Sequence, residues 1–312
     1  MRAIGDYSEI TSSPTLSEAY KLWETKKLRP TYARGTIKQY GSYIDDLINI
    51  CGNVPVHSIC SRLVEDICDD LDEEYSVKGN RMRATISSMY KYLRKVRLVT
   101  HNPALGLEYK TELPKQRKLS KAELRQLLEL LPESTMHADY KDVIYLVLHL
   151  AQRPTETCAM LRTEIDLEDS TWIIGADRTK NKKEHILPLS PVVLDIINRS
   201  LTRNKGQLVL SALKGGLVTS YAVRQALKRL MVANGMTPCS LHDLRRTSAH
   251  HMNANGIDSS MIARILNHSQ GGVTQKHYIQ AGLYDGLEDK KEALFRWSTA
   301  LARLGTLKKA PY

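Results

Sequence analysis

The segment His242-Asp243-Leu244-Arg245-Arg246-Thr247 opens a stretch of helical periodicity that we expect to continue to Asn255. Residues three positions apart share one face of a helix, so His242 and Arg245 are predicted to point toward a common target. A cation and a hydrogen-bonding ring on one face suit an anionic ligand. For His242 alone, a structural role is the better explanation, so the interpretation depends on the residues around it.

Two residues with chemical potential follow this helix. A second helical pattern covers residues 259–266 and leads to Asn267, a residue type suited to a left-handed turn that aims the next side chain, His268, into a cleft. Tyr278 lies ten residues after His268. A tyrosine has an ordinary pKa of about 10, so it becomes a nucleophile only beside a base and within a cationic pocket.

An arginine and a hairpin precede these motifs. Arg153 follows an apolar helix predicted at residues 140–152, and Glu156 is spaced to pair with and orient its guanidinium. Further along, residues 171–174 and 185–189 are β-prone and flank a charged stretch, which predicts two strands of a hairpin. The loop of this hairpin contains three lysines, namely Lys180, Lys182 and Lys183.

Together these residues resemble the catalytic domain of the tyrosine recombinase (phage integrase) family, particularly the prophage-type integrases. The similarity lies in the order and approximate spacing of Arg153, Lys180, His242, Arg245, His268 and Tyr278. Local sequences add to it, and they are residues 178–181, 185–190, 266–269 and 271–274. The resemblance covers residues 115 to about 300 well and residues 12–107 more loosely.

The resemblance implies that four cationic or ring side chains surround one phosphate of DNA. Arg153, oriented by Glu156, and Arg245 would bind the oxygens of the scissile phosphate. His268 would donate a further hydrogen bond to that phosphate, and His242 would assist proton transfer at the nucleophile. No metal and no cofactor is implied.

The same resemblance assigns the covalent step. Tyr278 would attack phosphorus and form a 3′-phosphotyrosyl link, with Tyr284 as the competing nucleophile. Lys180 would protonate the leaving 5′ oxygen, and Lys182 and Lys183 on the same turn compete for this role.

The composition agrees with a polyanionic partner. The net charge is +11 and the pI is near 9.3, which favours nucleic acid first and an anionic membrane second. No apolar run has the length of a membrane helix, and the N-terminus lacks the pattern of an export signal. We therefore expect no membrane partner and a cytoplasmic, nucleoid-associated protein of a bacterial or phage-infected cell.

We expect a mainly α fold in two domains. An N-terminal tail (residues 1–11) would precede a helical core-binding domain (12–107), a linker (108–118) and a catalytic domain with a small antiparallel sheet (119–312). Helices are expected at residues 36–51, 61–74 and 78–99, and capping boxes at Thr15/Glu18 and Ser120/Glu123 mark two helix starts. A terminal helix at about residues 286–304 would pack on its own domain or on a neighbouring protomer.

The helix predicted at residues 78–99 is strongly basic and is our candidate for contacting DNA outside the pocket. Its candidate side chains are Lys78, Arg81, Arg83, Lys91, Arg94 and Lys95. The preceding helix is acidic, so we expect the basic helix to face DNA and the acidic one to face solvent. A solvated basic face remains the alternative.

The function implied is site-specific recombination that integrates or excises a mobile element. The implied partners are double-stranded DNA, further copies of the chain in a tetramer on DNA, and accessory DNA-bending or directionality factors. Three rivals stay open, namely a type IB topoisomerase-like nicking-closing enzyme, a non-catalytic DNA-binding protein, and a metal-dependent hydrolase using His185, His242 and His268.

Overall fold

The structure, a computed structural model, describes residues 13–74, 77–112, 116–268 and 286–306. The chain divides into two compact units, Met1–Pro114 and Lys115–Tyr312, and each has its own hydrophobic core. The prediction of a mainly α fold with a small antiparallel sheet is confirmed. Within the described ranges, no helix has both the length and the apolar character needed to cross a bilayer.

The first unit is a set of helices around one core. Its first helix begins with the predicted capping box, in which the Thr15 backbone N–H donates to Glu18 Oε2 at 2.9 Å. Trp23, Leu47 and Ile86 are among the fully buried side chains that the helices share. The elements are α1 (Leu16–Trp23), a π-helical turn (Glu24–Leu28), α2 (Arg29–Thr31), α3 (Arg34–Cys51), a 3₁₀ turn (Val56–Ser58), α4 (Ser61–Glu74) and α5 (Lys78–Lys95).

Helix α5 ends at Lys95, four residues before the predicted end at Val99. Arg97 takes the left-handed conformation with φ 62°, and its N–H donates to the Arg94 carbonyl at 3.0 Å. The next N–H, that of Leu98, donates to a carbonyl one turn back at 3.0 Å. This pair of bonds closes the helix as a glycine usually does, although the sequence has no glycine here.

The acidic and basic helices of this unit pack directly against each other. Gly79 allows it, because a Cβ on this residue would lie 2.2 Å from the Cys68 carbonyl oxygen. Arg83 is 2 % exposed, and its Nη1 donates to Asp72 Oδ2 at 2.7 Å while its Nη2 donates to Asp69 Oδ1 at 2.5 Å. The prediction that Arg83 contacts DNA is therefore wrong, since its guanidinium is buried and paired with two carboxylates inside the unit.

The chain leaving this unit is fixed at the start of α5. Asn80 binds the backbone of Lys110 twice, accepting from its N–H at 3.0 Å and donating to its carbonyl at 2.7 Å. Arg81 forms an ion pair with Glu112 at 3.0 Å. Residues 110–112, which lie in the predicted linker, are thus held against the first unit.

The second unit is larger, and it begins with the predicted capping box of Ser120 and Glu123. Leu146, Trp172, Leu244 and Trp297 belong to its core. The elements are α6 (Lys121–Glu133), α7 (Ala138–Leu150), α8 (Pro154–Cys158), a 3₁₀ turn (Arg162–Glu164), β1 (Ile165–Asp166), β2 (Thr171–Ile174), β3 (His185–Pro188), α9 (Pro191–Arg203), α10 (Ser220–Ala233), α11 (Leu241–Ala254), α12 (Ser259–Ile265) and α13 (Leu287–Thr306).

The sheet of the second unit is antiparallel in the order β1-β2-β3. Trp172 is paired with Leu187 in the centre of the β2–β3 ladder, as the predicted hairpin requires. Strand β1 was not predicted; its Ile165 pairs with Trp172. The hairpin loop, residues 175–184, projects from this sheet.

Helix α13 packs on its own unit. Trp297 is fully buried, and its indole Nε1–H donates to the Leu148 carbonyl at 2.7 Å. Ser298 lies 3.0 Å from His149 Nδ1 and accepts from the Ser190 hydroxyl at 2.9 Å. Burial lowers the pKa of His149 to about 4, so its ring is neutral near neutral pH. Of the two arrangements left open by the sequence, this structure has the helix in cis.

Candidate active site

Arg153 stands at a sharp turn between α7 and α8. Ala151 takes the left-handed conformation with φ 53°, and Pro154 occupies the first position of α8, which favours extended backbone at Arg153. The guanidinium Nη1 pairs with Glu156 Oε1 at 3.0 Å, as predicted from their spacing. Its Nη2 donates to the Asn267 carbonyl at 3.3 Å.

Gln152, just before this arginine, ties the turn to α12. Its side chain is fully buried, and its Nε2 donates to the Leu150 carbonyl at 2.7 Å and to the Ile265 carbonyl at 2.8 Å. Its Oε1 is buried without a hydrogen-bond partner in the described part of the chain. No feature of the sequence marked this residue as a candidate.

Arg245 lies in the first turns of α11, which begins with a capping box between Ser240 and Asp243. The residue is 3 % exposed, and its Nη2 donates to the Leu266 carbonyl at 2.7 Å and to His268 Nε2 at 3.2 Å. Its Nη1 is buried without a partner among the described residues. Burial, and then the charge of Arg153, lower the pKa of Arg245 to about 10.

His242 lies one turn before Arg245 and is exposed. Its pKa is lowered by partial desolvation and then by the charges of Arg246 and Arg245, while the charge of Asp243 acts in the opposite direction. Arg153 also lowers this pKa, so His242 lies within the electrostatic influence of both Arg153 and Arg245. The ring is therefore neutral near neutral pH and able to accept a proton.

Helix α12 ends in the predicted left-handed turn at Asn267, whose φ is 50°. The Asn267 N–H donates to the Arg264 carbonyl at 3.2 Å, and the His268 N–H donates to the Ala263 carbonyl at 3.0 Å, which together form a Schellman motif. His268 is exposed, and its pKa is lowered by desolvation and then by Arg245 and Arg153. The turn thus places a neutral histidine beside both arginines.

Three consecutive main-chain carbonyls at the end of α12, those of Ile265, Leu266 and Asn267, accept hydrogen bonds from several parts of the site. We call them the α12 carbonyl cluster. Helix ends leave such carbonyls unpaired and partly negative, so they attract cations and N–H donors. The donors they receive come from Gln152, His185, Arg245, Arg153 and Asn181. The His185 ring is buried, and desolvation, followed by the charge of Lys290, lowers its pKa to about 3 although the bond to Ile265 acts to raise it.

The hairpin loop carries the predicted lysines beside this cluster. Lys180, Lys182 and Lys183 are exposed, and the loop turn is closed by Thr179, whose hydroxyl donates to the Lys183 carbonyl at 2.7 Å. Asn181 Nδ2 donates to Asn267 Oδ1 at 2.6 Å. Asn181 and Asn267 therefore join the loop to α12, a contact that the sequence analysis missed.

The nucleophile predicted from the sequence lies outside the described residues. Tyr278, the competing Tyr284 and the 271–274 segment fall within residues 269–285. Their assignment stays a prediction. Among the described residues, no three His, Cys, Asp or Glu side chains are grouped as a metal site requires.

The remaining candidates for DNA contact lie on α5 of the first unit. Lys78 is paired with Asp46 at 2.9 Å, and Arg81 with Glu112. The other three, Lys91, Arg94 and Lys95, are exposed. Their role stays a prediction.

Comparisons with known proteins bear on the whole arrangement. Tyrosine recombinase XerC of Bacillus licheniformis is 26% identical over 275 residues, 81% of this chain and 88% of that protein. Prophage integrase IntA of Escherichia coli is 23% identical over 299 residues, 93% of this chain and 70% of that protein.

Solved structures share the fold. A lambda integrase dimer bound to a COC′ core site has a TM-score of 0.69 at 17% identity, over 82% of this chain and 96% of that one. A lambda integrase tetramer bound to a Holliday junction has a TM-score of 0.70 at 17% identity, over 85% and 78%. The model of the phage integrase family matches residues 117–282. Because this match spans more than half of the 312 residues, the chain belongs to the phage integrase family.

Proposed function

We propose that this protein cleaves and rejoins DNA strands at specific sites through a 3′-phosphotyrosyl intermediate on Tyr278, integrating or excising a mobile element. Membership of the phage integrase family makes it a tyrosine-type site-specific DNA recombinase. The residue assignments below are our proposal for how it performs this reaction.

The observation that carries the proposal is the state of Arg245. Two arginines of the described chain are almost fully buried, Arg83 at 2 % and Arg245 at 3 % exposure. Arg83 is neutralised by Asp72 and Asp69. Arg245 forms no ion pair with a carboxylate among the described residues, and its Nη1 lacks any hydrogen-bond partner there. The charge of Glu156 compensates this guanidinium only in part, because its pKa is still lowered. A buried guanidinium in this state is costly, and an incoming phosphate supplies both negative charge and the missing acceptor.

The second arginine and a histidine complete this phosphate site. Arg153 lies close enough to lower the pKa of Arg245, so the two forks offer donors to neighbouring non-bridging oxygens. An arginine only donates, so the neutral His268 accepts from Arg245 at Nε2 and carries its proton on Nδ1. That proton is available to a further phosphate oxygen. These donors stabilise the charge that grows on the phosphate in the transition state.

The covalent step then needs one base and one acid. The neutral His242 accepts the phenolic proton as Tyr278 Oη attacks phosphorus. The bond between phosphorus and the 5′ oxygen breaks, and Lys180 gives its proton to that oxygen, with Lys182 and Lys183 as competitors. The phosphodiester becomes a 3′-phosphotyrosyl ester and a free 5′ hydroxyl. Attack by the 5′ hydroxyl of a partner strand reverses the exchange and releases the tyrosine.

We further propose that the first unit is the core-binding domain (12–107), that residues 108–118 form the linker, and that residues 119–312 form the catalytic domain. Exposed Lys91, Arg94 and Lys95 of α5 would contact DNA phosphates, and so would Lys78 and Arg81 after exchanging their carboxylate partners. Four copies would assemble on DNA at the nucleoid, with accessory factors setting direction. A lambda integrase of the same fold has been seen as a tetramer on a Holliday junction.

The test is covalent trapping. Duplexes with a nick near the scissile phosphate, drawn from fragments of the source DNA, are incubated with the protein and chelator, and denaturant-stable adducts are sought. We expect an adduct with wild type and with the matched Tyr284→Phe variant, and none with Tyr278→Phe. An adduct that persists in Tyr278→Phe but disappears in Tyr284→Phe would move the nucleophile. DNA binding without any adduct would support the non-catalytic alternative.

A further inference from the structure

Two asparagines link the lysine-bearing hairpin loop to the end of α12. Asn181 Nδ2 donates to Asn267 Oδ1 at 2.6 Å and lies 3.4 Å from the Asn267 carbonyl oxygen. In return, Asn267 Nδ2 donates to Asn181 Oδ1 at 3.4 Å. The two carboxamides thus face each other as a reciprocal pair, and both side chains are half-buried.

One end of this pair is firmly fixed. Asn267 sits at the left-handed position of the Schellman motif, which sets the direction of its side chain. Its carbonyl also accepts from Arg153 Nη2 at 3.3 Å. A group that binds Asn267 is therefore held in a fixed position relative to the backbone that also binds Arg153, one of the phosphate-binding arginines.

The other residue of the pair, Asn181, holds the backbone of the hairpin loop. Asn181 Oδ1 lies 3.4 Å from the Lys183 N–H, and that N–H also donates to Thr179 Oγ1 at 3.1 Å. Asn181 is adjacent in sequence to Lys180 and Lys182, so its position fixes the backbone from which each lysine projects, about 3.8 Å away. A ten-residue loop bearing exposed charges otherwise has freedom to move away from the site.

We infer that Asn181 and Asn267 are positioning residues that hold the loop lysine at the leaving 5′ oxygen. The inference rests on the proposed function, because it assigns the pair to the protonation of that oxygen. It does not depend on which of Lys180, Lys182 and Lys183 is the acid. General acids contribute about 10²–10⁴-fold to a rate, so loosening the acid without removing it should slow cleavage about 10- to 100-fold.

The experiment compares single-turnover cleavage of two nicked duplexes, one with the natural 5′ bridging oxygen and one with sulfur at that atom. A thiolate leaves without protonation, since thiol pKa values are about 8.5, whereas an alkoxide needs the acid. Asn267→Gly keeps the left-handed turn without strain, and Asn181→Ala removes the other carboxamide. Asn198→Ala, at an exposed asparagine of α9, is the matched control.

We expect Asn267→Gly and Asn181→Ala to be slow on the oxygen duplex and to approach the wild-type rate on the sulfur duplex. The double variant should be no slower than Asn181→Ala, because that single change already removes the carboxamide pair. Arg153→Lys should be slow on both duplexes, and Asn198→Ala on neither.

Three results would overturn the inference. Wild-type rates of both variants on the oxygen duplex would make the pair dispensable. Equal slowing on both duplexes would place the defect in phosphate binding or folding. Absence of an adduct from wild type on either duplex would remove the proposed function itself, which separates that failure from the first two.

Discussion

Replacing two buried arginines with methionine should lower stability at one site and leave it nearly unchanged at the other. Arg83 and Arg245 have nearly equal exposure, 2 % and 3 %, and differ in their partners. Arg83→Met leaves the buried Asp72 without its cation. Breaking a buried pair by removing one partner destabilises by about 3–5 kcal/mol. We expect the first unit to lose stability of that order.

Arg245→Met removes a cation that its surroundings disfavour. Burial and the charge of Arg153 lower its pKa to about 10, which corresponds to about 3 kcal/mol of destabilisation of the folded state. The substitution also removes two hydrogen bonds, to the Leu266 carbonyl and His268, worth about 1 kcal/mol each. The second unit should therefore keep its stability within about 1 kcal/mol, while adduct formation is lost.

Hydrogen–deuterium exchange across a urea series is the suitable assay, because peptides from the two units report their unfolding separately. The expected result is a lowered unfolding midpoint for the first unit in Arg83→Met and an unchanged midpoint for the second unit in Arg245→Met. An equally large loss in Arg245→Met would mean that this guanidinium is already compensated inside the protein. The reasoning that it awaits a phosphate would then be refuted.

Two further predictions concern packing and protonation. Gly79→Ala should destabilise the first unit by about 1–3 kcal/mol, because the new Cβ would lie 2.2 Å from a carbonyl oxygen. Gly35→Ala, whose Cβ would have no atom within 4 Å, should stabilise the unit by up to about 1 kcal/mol. Urea unfolding of the two variants measures the difference. The folded pKa of His149 is about 4, below its unfolded value of about 6.5, so the unfolded chain gains the proton first as pH falls. Through this group the second unit should lose up to about 1.4 kcal/mol of stability per pH unit between about pH 6.5 and about pH 4. His185, whose pKa is also lowered, acts with the same sign in this range, so His149→Gln should reduce the pH dependence measured by unfolding without abolishing it.

Features encoded by neighbouring residues could be predicted from the sequence. The capping boxes at Thr15 and Ser120 involve residues three positions apart, and both form as expected. The left-handed turn at Asn267 is equally local, since it depends on one residue's tolerance of positive φ. These signals placed the helix starts and the approach to the candidate site correctly.

Features that depend on distant partners could not. The burial of Arg83 follows from carboxylates on α4, which composition alone assigned to a separate solvent-facing helix. Asn181 finds Asn267 across 86 residues, and no local pattern signals such a pair. Strand β1 has two residues, too few for an alternating pattern to appear. Helix α5 ends early because Arg97 takes the left-handed conformation, and an arginine gives no sequence signal for that conformation.

The α12 carbonyl cluster gives the candidate site an unusual kind of vulnerability. Its acceptors belong to the main chain, so a point substitution at Ile265 or Leu266 changes a side chain and leaves the acceptor in place. Helix length is a different matter, because inserting or deleting one residue in α12 rotates everything beyond it by about 100° and shifts it by about 1.5 Å. All three carbonyls would then move away from their donors, which include both arginines, at once. The alignment of the site is thus tolerant of changes in residue identity and intolerant of changes in residue number.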